Sequence, residues 1–240
     1  MILPVLLRKI GYMEIPVFRL LDDISHRLQD DALYSQKPWC ELRDLFEYVA
    51  CVEHARQNIL GLPTRSSQLG SEHETSARYD SAASVLFAQA ALDNLAVWLN
   101  NYYDLGLKNN NISFYKRKMP EFLAKVDRAY IELFDRHEGY VQDLNNYRMA
   151  WLHKVSGGAR FVAEDPSNAE IKVPMAPINF SLTSDPLSYL NEIEKIKSEN
   201  SGEWLMPASE FVDWVKNGML YLINDVLTVV TETRERHGHQ

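Results

Sequence analysis

The sequence predicts an all-α protein: a helical bundle with additional helices and one small β-hairpin-like excursion. Apolar residues recur at steps of three and four through several long segments, which places them on one helix face. Stop signals at Gly61 and Pro63, at Gly106 and at Gly157-Gly158 punctuate those segments. Only one pair of short runs, just after Gly157-Gly158, has strand character.

The elements follow in order. Residues 1–20 are mixed apolar, with Pro4 and Pro16 limiting long helices, and read as a packing arm. Residues 22–30 read as a short helix. Over 38–60, Leu42, Leu45, Phe46, Val49, Val52 and Ile59 recur at helical spacing. Residues 64–76 are rich in Ser, Glu and Thr and read as a solvated connection. Residues 78–104 form the strongest helix, with Val85, Leu86, Leu92, Leu95, Ala96, Leu99 and Tyr103 as its stripe. Its alanines (Ala82, Ala83, Ala88, Ala90, Ala91) favour helix and let neighbours approach closely.

Asn109-Asn110-Asn111 is turn material. Pro120 suits a first helical position, and that helix carries Phe122, Leu123, Val126, Tyr130, Leu133 and Phe134. Gly139 is expected to separate it from a helix over 140–155, buried through Val141, Leu144, Tyr147, Trp151, Leu152 and Val155. Residues 159–163 and 170–174 read as two strands around an Asp165-Pro166-Ser167-Asn168 turn. Helices are expected over 186–199 and 207–235, the second with Phe211, Val215, Leu222, Val226 and Val229 inside and Ser209 or an earlier residue as cap.

Composition bounds the function. The chain has 240 residues, 46% hydrophobic and 24% charged, as globular proteins do. A chain of that length buries roughly 70–75% of its unfolded surface, enough for one sizeable core. A single domain over 1–240 is expected, with its core at about 38–158 and a C-terminal extension at about 159–240. The net charge of −8 argues against a broad nucleic-acid footprint, so any RNA contact must be local or shared between subunits.

Cys40 and Cys51, if on one helix, lie about 16 Å apart along its axis, too far to bridge. That fits a reducing compartment. The opening apolar run, Ile2 to Leu7, is too short for a signal peptide or a span, and its charges follow it. A soluble, cytoplasmic protein without membrane association is expected. No repeat, phosphate loop, dinucleotide fingerprint or zinc spacing occurs, so no cofactor and no metal are expected.

The stretch that suggests chemistry is Tyr147-Arg148-Met149-Ala150-Trp151-Leu152-His153-Lys154. Arginine holds phosphate and histidine moves protons near neutral pH. An arginine followed by a histidine after four to six residues is expected roughly once by chance in such a chain. It occurs three times, at Arg19/His26, Arg148/His153 and Arg234/His239. Context separates them: the first crosses an acidic segment, the last lies in a polar tail, and Arg148 sits between Leu144 and Trp151 on a face expected to be buried. A charge there needs a partner. Asp93, which interrupts the apolar stripe after Leu92, is the candidate, so an internal Arg148–Asp93 pair with a purely structural role is one reading.

With that motif, and with Leu92-Asp93-Asn94-Leu95 in a long alanine-rich helix before a hairpin of helices, the chain resembles the HEPN superfamily over about residues 78–158. That resemblance implies a metal-independent endoribonuclease acting as a homodimer, in a toxin or defence role. It implies His153 as general base or acid on the ribose 2′-hydroxyl and Arg148 as the phosphate holder. Asp93, Asn146 and Lys154 are the candidate orienting or substrate-binding residues. Asn146 lies seven positions before His153, on the same stripe, and reads either as a phosphate or base contact or as a solvated surface residue. In members controlled by a partner nucleotidyltransferase a tyrosine stands two places after the histidine; here that position is Val155. Active members often have a polar residue after the arginine; here it is Met149, which keeps open a non-catalytic module binding nucleotide, RNA or protein.

Lesser candidates remain. Asp23 and His26 have metal-ligand spacing without a second such pair, and His237 and His239 lie in the tail. Lys116-Arg117-Lys118 after Phe114-Tyr115 reads as a solvated loop or as a contact to RNA backbone. Cys40 and Cys51 read as small buried hydrophobes.

Overall fold

The computed structural model describes residues 36–63, 70–108, 111–153, 160–165, 168–174 and 205–237. Within these the protein is all-α with a small antiparallel sheet. The helices are α1 (Gln36–Leu60), α2 (Ser71–Tyr102), α3 (Lys118–Val126), α4 (Ala129–His153) and α5 (Ala208–His237). The strands are β1 (Arg160–Asp165), β2 (Asn168–Pro174) and β3 (Leu205–Pro207). The N-terminal arm, the short helix over 22–30 and the helix over 186–199 lie outside the described residues.

The sheet has the order β1-β2-β3. Phe161 pairs with Ile171, and Val173 with Met206, both antiparallel. Ile171 and Val173 are buried while Lys172 between them is half-exposed, the period-two alternation of a strand covered on one face. The third strand was not expected from the sequence: three residues running straight into α5 are too few to show a period.

Two compact units are present, one within Met1–Leu45, Leu92–His137 and Met219–Gln240, the other within Phe46–Ala91 and Glu138–Gly218. The first is built on Leu95, Trp98, Leu99, Met119, Leu123, Tyr130 and Leu222, all fully buried. Phe114 and Tyr130 both pack on Phe134, with ring centroids at 5.3 and 6.1 Å. The hydroxyls of Tyr103 and Tyr130 lie 3.0 Å apart, and burial pushes Tyr103 up to about 12 and raises Tyr130 as well.

In the second unit, Val49 and Val52 of α1, Val85 and Ala88 of α2, Leu144 of α4 and Val215 of α5 are buried. Ion pairs tie α1 to α5: Arg56 to Asp213, and Lys216 Nζ to Glu53 Oε2 at 2.6 Å. Burial opposes ionisation of Glu53, but hydrogen bonds from Lys216 and Gln57, with the charges of Lys216 and Arg56, outweigh it and hold the carboxyl below its ordinary range.

α2 is long and apolar enough to cross a membrane by length and composition, yet 61% of that stretch is buried inside the protein. Its C-terminus is a Schellman turn. Leu105 N–H donates to Asn100 O at 2.9 Å and Asp104 N–H to Asn101 O at 3.4 Å. The left-handed residue is Asp104 (φ 48°), two places before the expected stop at Gly106 (φ 67°). The Asn100 amide then spans the turn, its Oδ1 accepting from Leu107 N–H at 3.0 Å.

Two boundaries differ from the sequence reading. Residues 71–76, expected as a solvated connection, are the first turns of α2. Gly70 N–H donates to His73 Nδ1 at 3.0 Å, the reciprocal half of a capping box, and Glu72 and Glu74 suit the positive end of the helix dipole. A polar composition there marks a solvated helix face rather than a loop. The second difference is the break expected at Gly139. It falls instead at Asp127, whose backbone is extended (φ −151°, ψ 134°). Asp127 Oδ1 accepts from Ala129 N–H at 2.9 Å and so caps α4, while its Oδ2 accepts from Thr233 Oγ1 at 2.9 Å. Gly139 is an exposed residue inside α4 with open space around it.

Candidate functional site

The Arg148/His153 motif ends α4, and the preceding two turns show how it is held. Tyr140, Leu144 and Tyr147 recur at helical spacing and form one stripe. Tyr140 Oη donates to Val215 O at 2.7 Å. Tyr147 meets Phe211 and Trp214 edge-on, with centroids at 5.2 and 5.6 Å. Tyr140 meets Trp214 in the same manner at 5.3 Å. A Cβ added at Gly218 would stand 2.1 Å from the Tyr140 ring, so the glycine makes room for this anchor. The end of α4 is thereby fixed to α5 through aromatic side chains.

Arg148 is the next residue after the Tyr147 anchor. It is half-buried, not buried as its apolar neighbours suggested, because one step of about 100° carries it to the rim of the stripe. Met149, another step round, is exposed. No hydrogen bond or ion pair involves Arg148 among the described residues. His153 is the last residue of α4. It follows Arg148 by about 140° of turn and 7.5 Å of rise, so the two positions flank the anchored stripe and do not share one line.

The orienting candidates separate. Asn146 is buried (4% exposed), which overturns the solvated reading; its Oδ1 accepts from Gln142 Nε2 at 3.2 Å. Asp93 and Arg148 belong to different compact units, and within its own unit Asp93 Oδ1 accepts from Ser113 Oγ at 3.0 Å. Lys154 lies outside the described residues, as do Val155, Asp23, His26 and His239. Cys51 is half-buried rather than a core residue, and burial with the nearby Glu47 charge raises its thiol.

The sequence reading missed Asp143. It is a buried carboxyl (7% exposed) three positions before Asn146 on the same flank of α4, and burial alone pushes it up to about 6. The available signal was its spacing: Asp143 and Asn146 are polar at i and i+3 beside an otherwise apolar stripe. The sequence also passed over Arg136, His137 and Asp225. Asp225 Oδ2 is 2.8 Å from His137 Nε2 and accepts from Arg136 Nη1 at 2.9 Å. No group of three or more metal-binding side chains occurs among the described residues.

No family model, no curated protein and no solved structure matches the chain.

Proposed function

We propose that this protein is a metal-independent endoribonuclease of HEPN type, acting in the cytoplasm as a homodimer on RNA, in a toxin or defence role. The observation that carries the reading is Arg148: a half-buried arginine, without a partner among the described residues, beside an aromatic anchor on the helix that ends at His153. An arginine held on a fixed helix with its donors unspent is suited to a phosphate. The wide angle between the motif positions favours a site completed by a second copy, where two arginines and two histidines share one cleft.

In this mechanism His153 takes the proton of a ribose 2′-hydroxyl, and the 2′-oxygen attacks the adjacent phosphorus. The bond from phosphorus to the 5′-oxygen breaks, and that oxygen receives a proton from the second histidine. Arg148 stabilises the charge gathering on the phosphoryl oxygens. Products are a 2′,3′-cyclic phosphate and a 5′-hydroxyl, and DNA survives for want of the nucleophile.

The test is cleavage of RNA in EDTA by the purified full chain beside Arg148→Ala and His153→Ala. The expected loss is roughly 10²–10⁴-fold in each variant. Equal activity in the variants, or none in the parent, would sink the proposal. The exposed Met149 beside Arg148 favours the second reading, a module that binds RNA, nucleotide or protein without cutting; RNA affinity without turnover is its signature.

A further inference from the structure

Residues 111–128 carry five cations, Lys116, Arg117, Lys118, Lys125 and Arg128, against two carboxylates, Glu121 and Asp127, in a chain whose net charge is −8. All five cations are exposed. Five cations against two carboxylates leave this stretch a net charge of +3. Asp127 accepts from Ala129 N–H and Thr233 Oγ1, and Glu121 pairs with Arg117 at 2.7 Å. α3 buries Met119 and Leu123 and so turns Lys118, Phe122 and Lys125 outward along one stripe.

The aromatic residues within this surface are arranged with the cations. Lys116 Nζ lies 5.0 Å from the Tyr115 ring centroid, and Lys125 Nζ lies 4.6 Å from that of Phe122. Both rings are half-exposed, whereas Phe114 beside them is buried against Phe134. Alternating ammonium groups and ring faces match the two features of a single-stranded polynucleotide, its phosphates and its unstacked bases. An acidic protein that handles RNA needs its positive charge concentrated in one place, because the remainder of its surface repels the backbone.

We propose that the surface formed by Tyr115, Lys116, Lys118, Phe122 and Lys125 is the docking site for single-stranded RNA. The proposal rests on the ribonuclease reading for its choice of polyanion and adds where the strand is gripped. The site lies outside the Arg148/His153 motif, so binding and cleavage are separable by mutation.

The experiment uses the full chain carrying His153→Ala, so that bound RNA is not consumed. The probe is a fluorescein-labelled unstructured oligoribonucleotide, read by anisotropy between 50 and 200 mM KCl. The combined variant Lys116→Glu, Lys118→Glu, Lys125→Glu should weaken binding at least about tenfold. It should also flatten the plot of log affinity against log salt by about 2, since each phosphate contact on a single strand contributes about 0.7. Tyr115→Ala should weaken binding several-fold with the slope unchanged, which separates stacking from charge. Thermal melts check that each variant is folded.

Undiminished binding with an unchanged slope in the folded triple variant overturns the proposal and leaves the ribonuclease reading standing. Lysine-dependent binding by a parent chain that never cleaves RNA supports the proposal and removes the ribonuclease reading. Absence of RNA binding overturns the proposal, and cleavage by the parent then decides the other question independently. Displacement of the RNA by an equal concentration of poly-glutamate also overturns it, by assigning the surface to acidic polypeptide.

Discussion

In the first half of α4, Arg136 and His137 both reach Asp225 on α5, at 2.9 and 2.8 Å. In the second half, Arg148 has no such partner among the described residues, although it is half-buried and Tyr147 before it is packed against aromatic rings. One helix therefore holds an arginine that is engaged in structure and one whose donors meet no partner among the described residues. The difference shows what makes a basic residue a functional candidate. Both stand on one helix with a histidine nearby in sequence; Arg136 is exposed and paired with a carboxylate, whereas Arg148 is half-buried and has none beside it among the described residues.

The sharpest way to break this contrast is Asp225→Ala. It leaves the His137 ring, 9% exposed, without its acceptor and Arg136 without its ion partner. A loss of about 2–3 kcal/mol is expected in urea unfolding, whereas Arg148→Ala should change stability by less than about 0.5 kcal/mol. If both variants unfold alike, the two arginines are not different in kind.

Next in size is Asp143→Asn. The folded protein holds this carboxyl at about 6 against an ordinary 3.8. The folded state therefore binds the proton more tightly than the unfolded chain does. The stability this contributes is complete below about pH 4 and is lost as pH rises through about 6. Asparagine never ionises, so the variant should be more stable than the parent by about 2 kcal/mol at pH 7.5 and no more stable at pH 4. Equal shifts at both pH values would show that the burial of charge is not the cause.

The smallest effect belongs to Gly139→Ala. Nothing lies within 4 Å of the added Cβ on this exposed helical position. A gain of about 0.5–1 kcal/mol is expected from helix propensity. A loss there would mean that α4 is interrupted at Gly139 after all.

Much of the fold is legible in the sequence because burial imposes period. Phe211, Val215, Leu222, Val226 and Val229 are all buried along α5, as their spacing requires. The failures arise where local chemistry outweighs pattern. Asp127 separates the two helices, its extended backbone ending one and its side chain capping the next, while Gly139, the more obvious breaker, stays helical between the buried His137 and Val141. Leu86 was expected in the apolar stripe yet is exposed (36%), since one step of about 100° from the buried Val85 carries it off the covered face. Within the candidate site, the helix was readable from Leu144 and Tyr147, while the stop expected at Gly157-Gly158 lies outside the described residues. The burial of Asn146 and Asp143 was harder to read, because its one trace is their i, i+3 spacing along a single flank of that stripe.

The close approach of Gly218 to the Tyr140 ring has an evolutionary consequence. A glycine inside a helix is ordinarily open to replacement, and alanine is ordinarily the preferred occupant. Here that freedom is conditional on another position, because the aromatic ring already fills the space a methyl group would take. Substitution tolerance at 218 is therefore set by the identity of residue 140. The two sites form an epistatic pair, in which a drift from tyrosine to a smaller side chain must come first and only then admits a larger residue opposite.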